Sequence, residues 1–308
     1  MARTQKDGST RGGGKPSLRR RLLKAWLALV VLGAAAVGLF YGFGRLDTHV
    51  RAMPMYQMTR ESLRLVEGPS WMTPAILADL DVRDRLPERF SLLDPDICLR
   101  VARAYEEVAW VERVERVEKR DPRVSPADPP LEVRLRFRCP VAFVEGERGA
   151  YLVDAQGVRL PGVYTEAPRL GQATLLVIRG VHAAPPQPGR QWLGGGVLAG
   201  VRVAEAVSPQ RQVYQVTTID VENFGGRKNP RDTEIALYTK NGTRIKWGKA
   251  PSAEAELLQE KTLAEKVAYL DYVYERLGGR VDGVLDYIDV PNETIRRRAT
   301  SLTTRLRS

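Results

Sequence analysis

The chain has 308 residues, with 48 Lys and Arg against 37 Asp and Glu and a formal net charge of +11. Eight of those cations, set against Asp7 alone, fall in the first 24 residues and supply +7, leaving only +4 for all that follows. That distribution excludes a nucleic-acid binder, whose cations gather on the folded part, and fits a basic segment lying against anionic lipid.

Residues 1–24 are rich in Gly, Ser, Lys and Arg, cannot build a core and are expected to be a disordered cytoplasmic tail. Gly12-Gly13-Gly14-Lys15 lacks the rest of a phosphate-loop pattern and has no strand before it. Residues 25–44 carry no charge. At 1.5 Å per helical residue they span about 30 Å, the thickness of a bilayer's hydrocarbon core. A cleaved signal peptide has a shorter apolar segment and a small-residue cleavage site, and Arg45-Leu46-Asp47-Thr48-His49 offers none. Residues 25–44 are therefore read as a retained transmembrane helix, with the basic tail inside and the bulk of the chain outside. Residues 45–56 follow as a tether.

The first exported unit is expected over residues 57–140. A strand at 56–66 leads to Thr73-Pro74, a cap and first-turn proline for a helix over 75–85. Asp94-Pro95-Asp96 opens a second helix, with Ile97, Val101, Ala104 and Tyr105 three and four apart. Residues 110–117 are ambiguous, because valines three apart fit a helix while their β-branching fits a strand. Strict alternation makes 131–138 a strand with Arg134, Arg136 and Arg138 on its charged face, and the proline-rich segment 121–130 cannot continue a helix. The order is strand, helix, helix, strand, strand.

The second unit, 141–295, is rich in short strands: 151–153, 158–160 and 175–178, separated by turns at 154–157 and Pro161-Gly162. Residues 183–200 contain two Pro/Gly clusters, match no dinucleotide fingerprint and are expected to form an exposed loop or insertion. Strands follow at 213–221, 234–238 and 243–247, the last two joined by an Asn241-Gly242 hairpin. A helix is expected over 252–277, with an apolar stripe of Leu263, Val267, Leu270, Tyr274 and Leu277 and a stop at Gly278-Gly279. A last strand at 284–290 is limited by Pro291, and 296–308 is expected to be a basic disordered tail. The fold class is α+β. Cys98 and Cys139 lie beyond the membrane, where a disulfide and two free thiols are both open readings.

Chemistry has little to work with. His49 and His182 belong to no metal-ligand spacing, no nucleophile elbow or Ser-x-x-Lys set is present, and Asp286 with Asp289 is the first carboxylate pair to inspect. No catalytic, cofactor or metal residue is assigned, and the chain is not read as an enzyme.

The order of elements resembles the bacterial cell-division family FtsQ/DivIB. The residues that carry the likeness are Trp110-Val111 with Val114 and Val117, the strand 131–137 running into Arg138-Cys139-Pro140-Val141-Ala142, and Tyr151-Leu152-Val153-Asp154 turning at Gly157-Val158. The segments 175–180 and 261–277 and the strand Tyr287-Ile288-Asp289-Val290 extend it, so that it covers about residues 20–295. The chain departs from the family in Pro291-Asn292, where Arg often follows, and in its longer 183–200 loop.

The resemblance implies a POTRA-like β-α-α-β-β domain, then a mixed β-rich domain with one long late helix, in a scaffold of the cytoplasmic membrane at the division septum. It implies docking of FtsB-like and FtsL-like single-span proteins, and control of septal wall synthesis without catalysis. By that likeness the partner surface falls on Tyr272, Glu275, Arg276, Tyr287, Ile288 and Val290, and an open strand edge would serve it. The competing reading is an envelope assembly or secretion factor whose POTRA-like module receives client chains, although no second copy of the module and no barrel series follow.

Overall fold

The computed structural model describes residues 18–65, 68–82, 85–121, 123–124, 129–165, 175–250 and 260–298. In chain order the elements are α1 (Leu18–Arg51), β1 (Gln57–Thr59), β2 (Leu63–Leu65), α2 (Pro74–Asp79), β3 (Arg89–Ser91), α3 (Ile97–Glu106), β4 (Val111–Lys119), β5 (Leu131–Phe137), β6 (Pro140–Gly146) and β7 (Gly149–Asp154). They continue with β8 (Leu176–Arg179), α4 (Gly196–Val207), α5 (Arg211–Tyr214), β9 (Val216–Asp220), β10 (Ile235–Thr239), β11 (Arg244–Gly248), α6 (Leu263–Arg276), β12 (Leu285–Asp289) and β13 (Thr294–Arg297). Of the expected tails and late helix, residues 1–17, 252–259 and 299–308 lie outside the described residues. The chain divides into two units, one reaching to Met58 and including Arg89–Asp94, the other Thr59–Glu88 and the chain from Pro95.

In the first unit, α1 begins at Leu18, inside the expected tail, and runs through the expected tether to Arg51. Nothing in Arg45-Leu46-Asp47-Thr48-His49-Val50-Arg51 breaks a helix. Asp47 pairs with Arg51 one turn on at 2.8 Å, and the Thr48 hydroxyl donates to the Gly44 carbonyl. Met53 precedes Pro54, which disfavours helical backbone before it, and Met53 is extended. Among the described residues, one helix, Leu22–Arg51, is long and apolar enough to cross a membrane. Two donors meet its last carbonyl: Gln57 Nε2 at 2.7 Å and Ser91 Oγ at 3.2 Å reach the Arg51 oxygen.

The second unit holds a three-stranded and an eight-stranded sheet. In the small sheet β5 lies between β2, parallel to it, and β4, antiparallel. The strand expected over 56–66 is divided, with a 3-10 turn at Arg60–Ser62 between β1 and β2. Helix α2 starts where Thr73 and Pro74 place it, the Thr73 hydroxyl accepting from the Ile76 amide, but ends at Asp79 rather than 85. Helix α3 buries Ile97, Val101, Ala104 and Tyr105, the four residues its periodicity singles out.

Strand β4 resolves the ambiguity of its Val-Glu-Arg repeat. Val111, Val114 and Val117 stand opposite Phe137, Leu135 and Val133, while the pairing skips Glu112 and Glu115. A strand alternates with period two, so a period-three repeat keeps its valines on one face only by bulging one residue per repeat. Arg134 and Arg136 lie exposed on the other face of β5. Arg138 does not join them: its guanidinium bonds Asp154 at 2.7 Å, and Asp154 is buried. Removing a partner from such a pair leaves an uncompensated buried charge. Cys98 and Cys139 are both free thiols.

The large sheet runs β13-β12-β11-β10-β9-β8-β6-β7. Its core gathers Val144, Ile178, Ile219, Leu237, Ile245 and Ile288 with residues of α4 and α6. The 183–200 expectation is corrected here, because Gly194 and Gly195 lead into α4 and only the part before them is a surface loop. Val197, Val201, Val203, Ala204 and Val207 of α4 are buried. A Cβ on Gly200 would sit 3.0 Å from Ile178 side-chain atoms, so the glycine lets the helix press onto β8. Residues 213 and 214, expected to open a strand, instead close α5, and β9 begins at Val216.

Candidate partner-binding edge

Sheet edges carry unpaired backbone groups, so the ends of both sheets locate where a strand could be added. At one end of the large sheet, β7 is covered by the segment that follows it. Ala150 and Tyr164 exchange both backbone bonds, at 2.8 and 2.9 Å, and the Leu160 amide reaches the Leu152 carbonyl. At the other end stands β13, which forms the last strand of the sheet and has no described strand on its outer side.

The sequence expects the sheet to end at Pro291, and the structure corrects this. Residues 291–293 make a turn, with Glu293 in left-handed backbone at φ 52°, and the chain returns antiparallel as β13. The expected tail therefore begins as strand. Asp289 accepts from the Asn292 amide and side chain at 3.1 and 3.0 Å, closing the turn from inside. Lys261, just before α6, donates to the carbonyls of Val290 and Pro291 and pairs with Glu293 at 2.7 Å. Gly248 gives the turn room, since a Cβ there would stand 2.8 Å from the Pro291 ring.

The surfaces of the returning strand follow from its register. Ile288 faces Ile295 and Tyr287 faces Arg296. The pairing is irregular at Asp286, which brings Leu285 opposite Arg297 on the core side. The Arg298 amide donates to the Val284 carbonyl at 3.1 Å. By alternation the amides of Thr294 and Arg296 also turn toward β12, and those of Ile295 and Arg297 point out to the free edge.

The six sequence-derived site residues separate into two groups. Tyr272 and Glu275 are exposed on α6, and Arg276 beside them donates to the Tyr272 hydroxyl at 2.7 Å. Tyr287 is half-buried between Arg244 and Arg296 in the cross-strand row, with the Lys246 ammonium 5.2 Å from its ring. Ile288 and Val290 are fully buried, at 0 % exposure, and β12 is paired on both sides. The described edge open to an added strand is therefore β13, and Ile288 and Val290 serve the core beneath it. Ile295 and Arg297, the residues of the free edge, are absent from the sequence-derived set. The sequence offered little signal, since Thr294-Ile295-Arg296-Arg297 does not alternate and Pro291 was read as a terminator rather than the first residue of a turn.

Burial shapes the chemistry behind the edge. Lys266 on α6 is buried and its ammonium bonds Glu260 at 2.6 Å and the Lys249 carbonyl at 3.1 Å. Burial lowers its pKa, and the Glu260 hydrogen bond offsets part of that. Burial likewise raises the pKa of Tyr269, helped by Glu293. Asp286 faces Arg296 and Arg298, whereas Asp289 faces Lys246 and Asn292; each carboxylate is held by partners of its own. Among the described residues no three His, Cys, Asp or Glu side chains gather as a metal site.

Residues 142–290 match the family model described as cell division protein FtsQ/DivIB, C-terminal. No curated protein matches the chain. The matched segment takes in the sheet from β6 to β12 with α4 and α6. It is thus similar to the C-terminal domain of a family of non-enzymatic scaffolds, and the likeness supports a scaffolding role in bacterial cell division. The apolar α1 ahead of it agrees with the anchor and extracytoplasmic domain of that family's topology.

Proposed function

We propose that this chain is a single-span scaffold of the division septum, whose exported part links early and late division proteins by taking a strand from an FtsB-like or FtsL-like partner onto β13. The observation that carries the reading is a strand edge, without a bulge of its own and unpaired among the described residues, at the end of the domain that matches the FtsQ/DivIB model. Strand addition satisfies the outward backbone groups of Ile295 and Arg297, and side chains on both faces supply specificity. Tyr272, Glu275 and Arg276 of α6 then serve as the accompanying side-chain surface, and Tyr287 lies on the face of the sheet that also carries Arg296. The unit over residues 57–140 acts as a POTRA-like docking domain, its β2, α2, α3, β4 and β5 following the strand-helix-helix-strand-strand order.

The test is binding of the full-length protein, in detergent micelles, to the exported segments of the organism's FtsB-like and FtsL-like proteins. Ile295→Pro removes an outward amide while leaving the bonds to β12 in place, and it should abolish saturable binding. Ile295→Thr keeps that amide and should retain binding. Equal binding by both variants would refute strand addition at this edge.

A further inference from the structure

We propose that the β13 edge selects an acidic strand, with carboxylates opposite Arg296 and Arg297 and an apolar residue opposite Ile295. This rests on the strand-addition reading of the same edge and specifies the partner's chemistry. Residues 294–298 read Thr-Ile-Arg-Arg-Arg, three consecutive cations at the end of the strand. Asp286 is the carboxylate that meets this run, and it is shared: Arg296 reaches it at 3.7 Å and Arg298 at 3.6 Å. Arg297 is exposed and has no ion-pair partner among the described residues. Three cations thus stand against one shared anion at an edge whose backbone is open.

Register divides the demand between the two faces of an incoming strand. Ile295 continues the row of buried Ile288 on the core side and is 39 % exposed, so it asks for an apolar neighbour. Arg297 lies on that same face two residues on, and Arg296 on the opposite face beside Tyr287. Directly opposed unlike charges on neighbouring strands are favourable and like charges unfavourable. A second copy of this chain is therefore a poor occupant, because pairing two β13 strands brings arginine rows together. An acidic strand of another protein is the occupant that the charge fits.

The experiment uses the full chain in detergent micelles and two short fluorescent peptides, one of valine and threonine interspersed with glutamate, the other with lysine in place of each glutamate. The acidic peptide should bind saturably and the lysine peptide should not. Arg297→Glu, at an exposed and unpaired position, should weaken the acidic peptide about tenfold, and so should raising the salt to about 0.5 M. Arg296→Gln with Arg298→Gln gives a second variant without charge reversal beside Asp286, expected to weaken it by a similar factor. Equal binding of both peptides, lost in Ile295→Pro, would overturn charge selection and leave strand addition standing. Binding of neither peptide would overturn it as well, and the Ile295→Pro and Ile295→Thr comparison with the division segments then judges strand addition separately.

Discussion

Strands β4 and β13 each end a sheet, and both are dense in charge, yet only one presents a regular edge. The nine residues of β4 pair with β5 through two irregularities, at Glu112 and Glu115. The four residues of β13 run without a bulge of their own against β12. A bulge twists a strand and spoils the spacing of its outward amides, which is how natural sheets keep edges from being paired. On the proposed reading, backbone regularity more than composition distinguishes the edge that takes a partner strand. The comparison also weighs against client capture by the smaller sheet, since its other end, β2, has three residues.

The largest expected effect separates the strand inside from the strand outside. Ile288→Asp puts an unpaired carboxylate at a fully buried site and should cost about 3–5 kcal/mol or more, enough to unfold the domain. Ile295→Asp, on the free strand, should cost under about 1 kcal/mol. Urea denaturation of both variants measures the difference. Comparable losses would mean that β13 is as integral to the core as β12.

The second change makes β4 resemble β13. Deleting Glu112 and Glu115 leaves Val-Arg-Val-Arg-Val, a strict alternation that keeps each valine opposite its present partner. The variant should stay folded and should gain saturable binding of the glutamate-containing peptide, because its edge is now straight and carries Arg113 and Arg116. A folded variant that binds that peptide no better than the parent would show that the bulges do not close this edge.

The same strands mark how far the sequence could be read. Where side-chain period and backbone period agree, as in Leu131-Glu132-Val133-Arg134-Leu135, the strand and its buried face were legible outright. In β4 the two periods disagree, and only the partner strand, by fixing which residues are skipped, decides between helix and bulged strand. Helix α4 was missed for a different reason: Arg202 and Glu205 are its only charged residues, its valines and glycines have low helix propensity, and it is helical because the sheet and α6 pack against its apolar side. Of the residues assigned to a partner surface, Tyr272, Glu275 and Arg276 are exposed on α6, whereas Ile288 and Val290 are buried by β13 and the core. No local pattern announces that a proline opens a turn when the turn is held by Lys261, some thirty residues earlier in the chain.

That distant anchor supplies the smallest test. The Lys261 ammonium holds the carbonyls of Val290 and Pro291 and the Glu293 carboxylate together, yet Glu293 is more than half exposed and screened by water. Lys261→Ala should therefore cost only about 1 kcal/mol, and the cost should be local. In hydrogen exchange, the amides of Arg296 and Arg298, which turn toward β12, should speed up about fivefold. Those of Ile295 and Arg297 have no described strand to protect them and should exchange rapidly in parent and variant alike. Amides of β4 bonded to β5 should not respond at all. A uniform acceleration across both sheets would instead mean that the Lys261 contacts support the whole fold, and the free edge would lose its standing as a separately adjustable part of it.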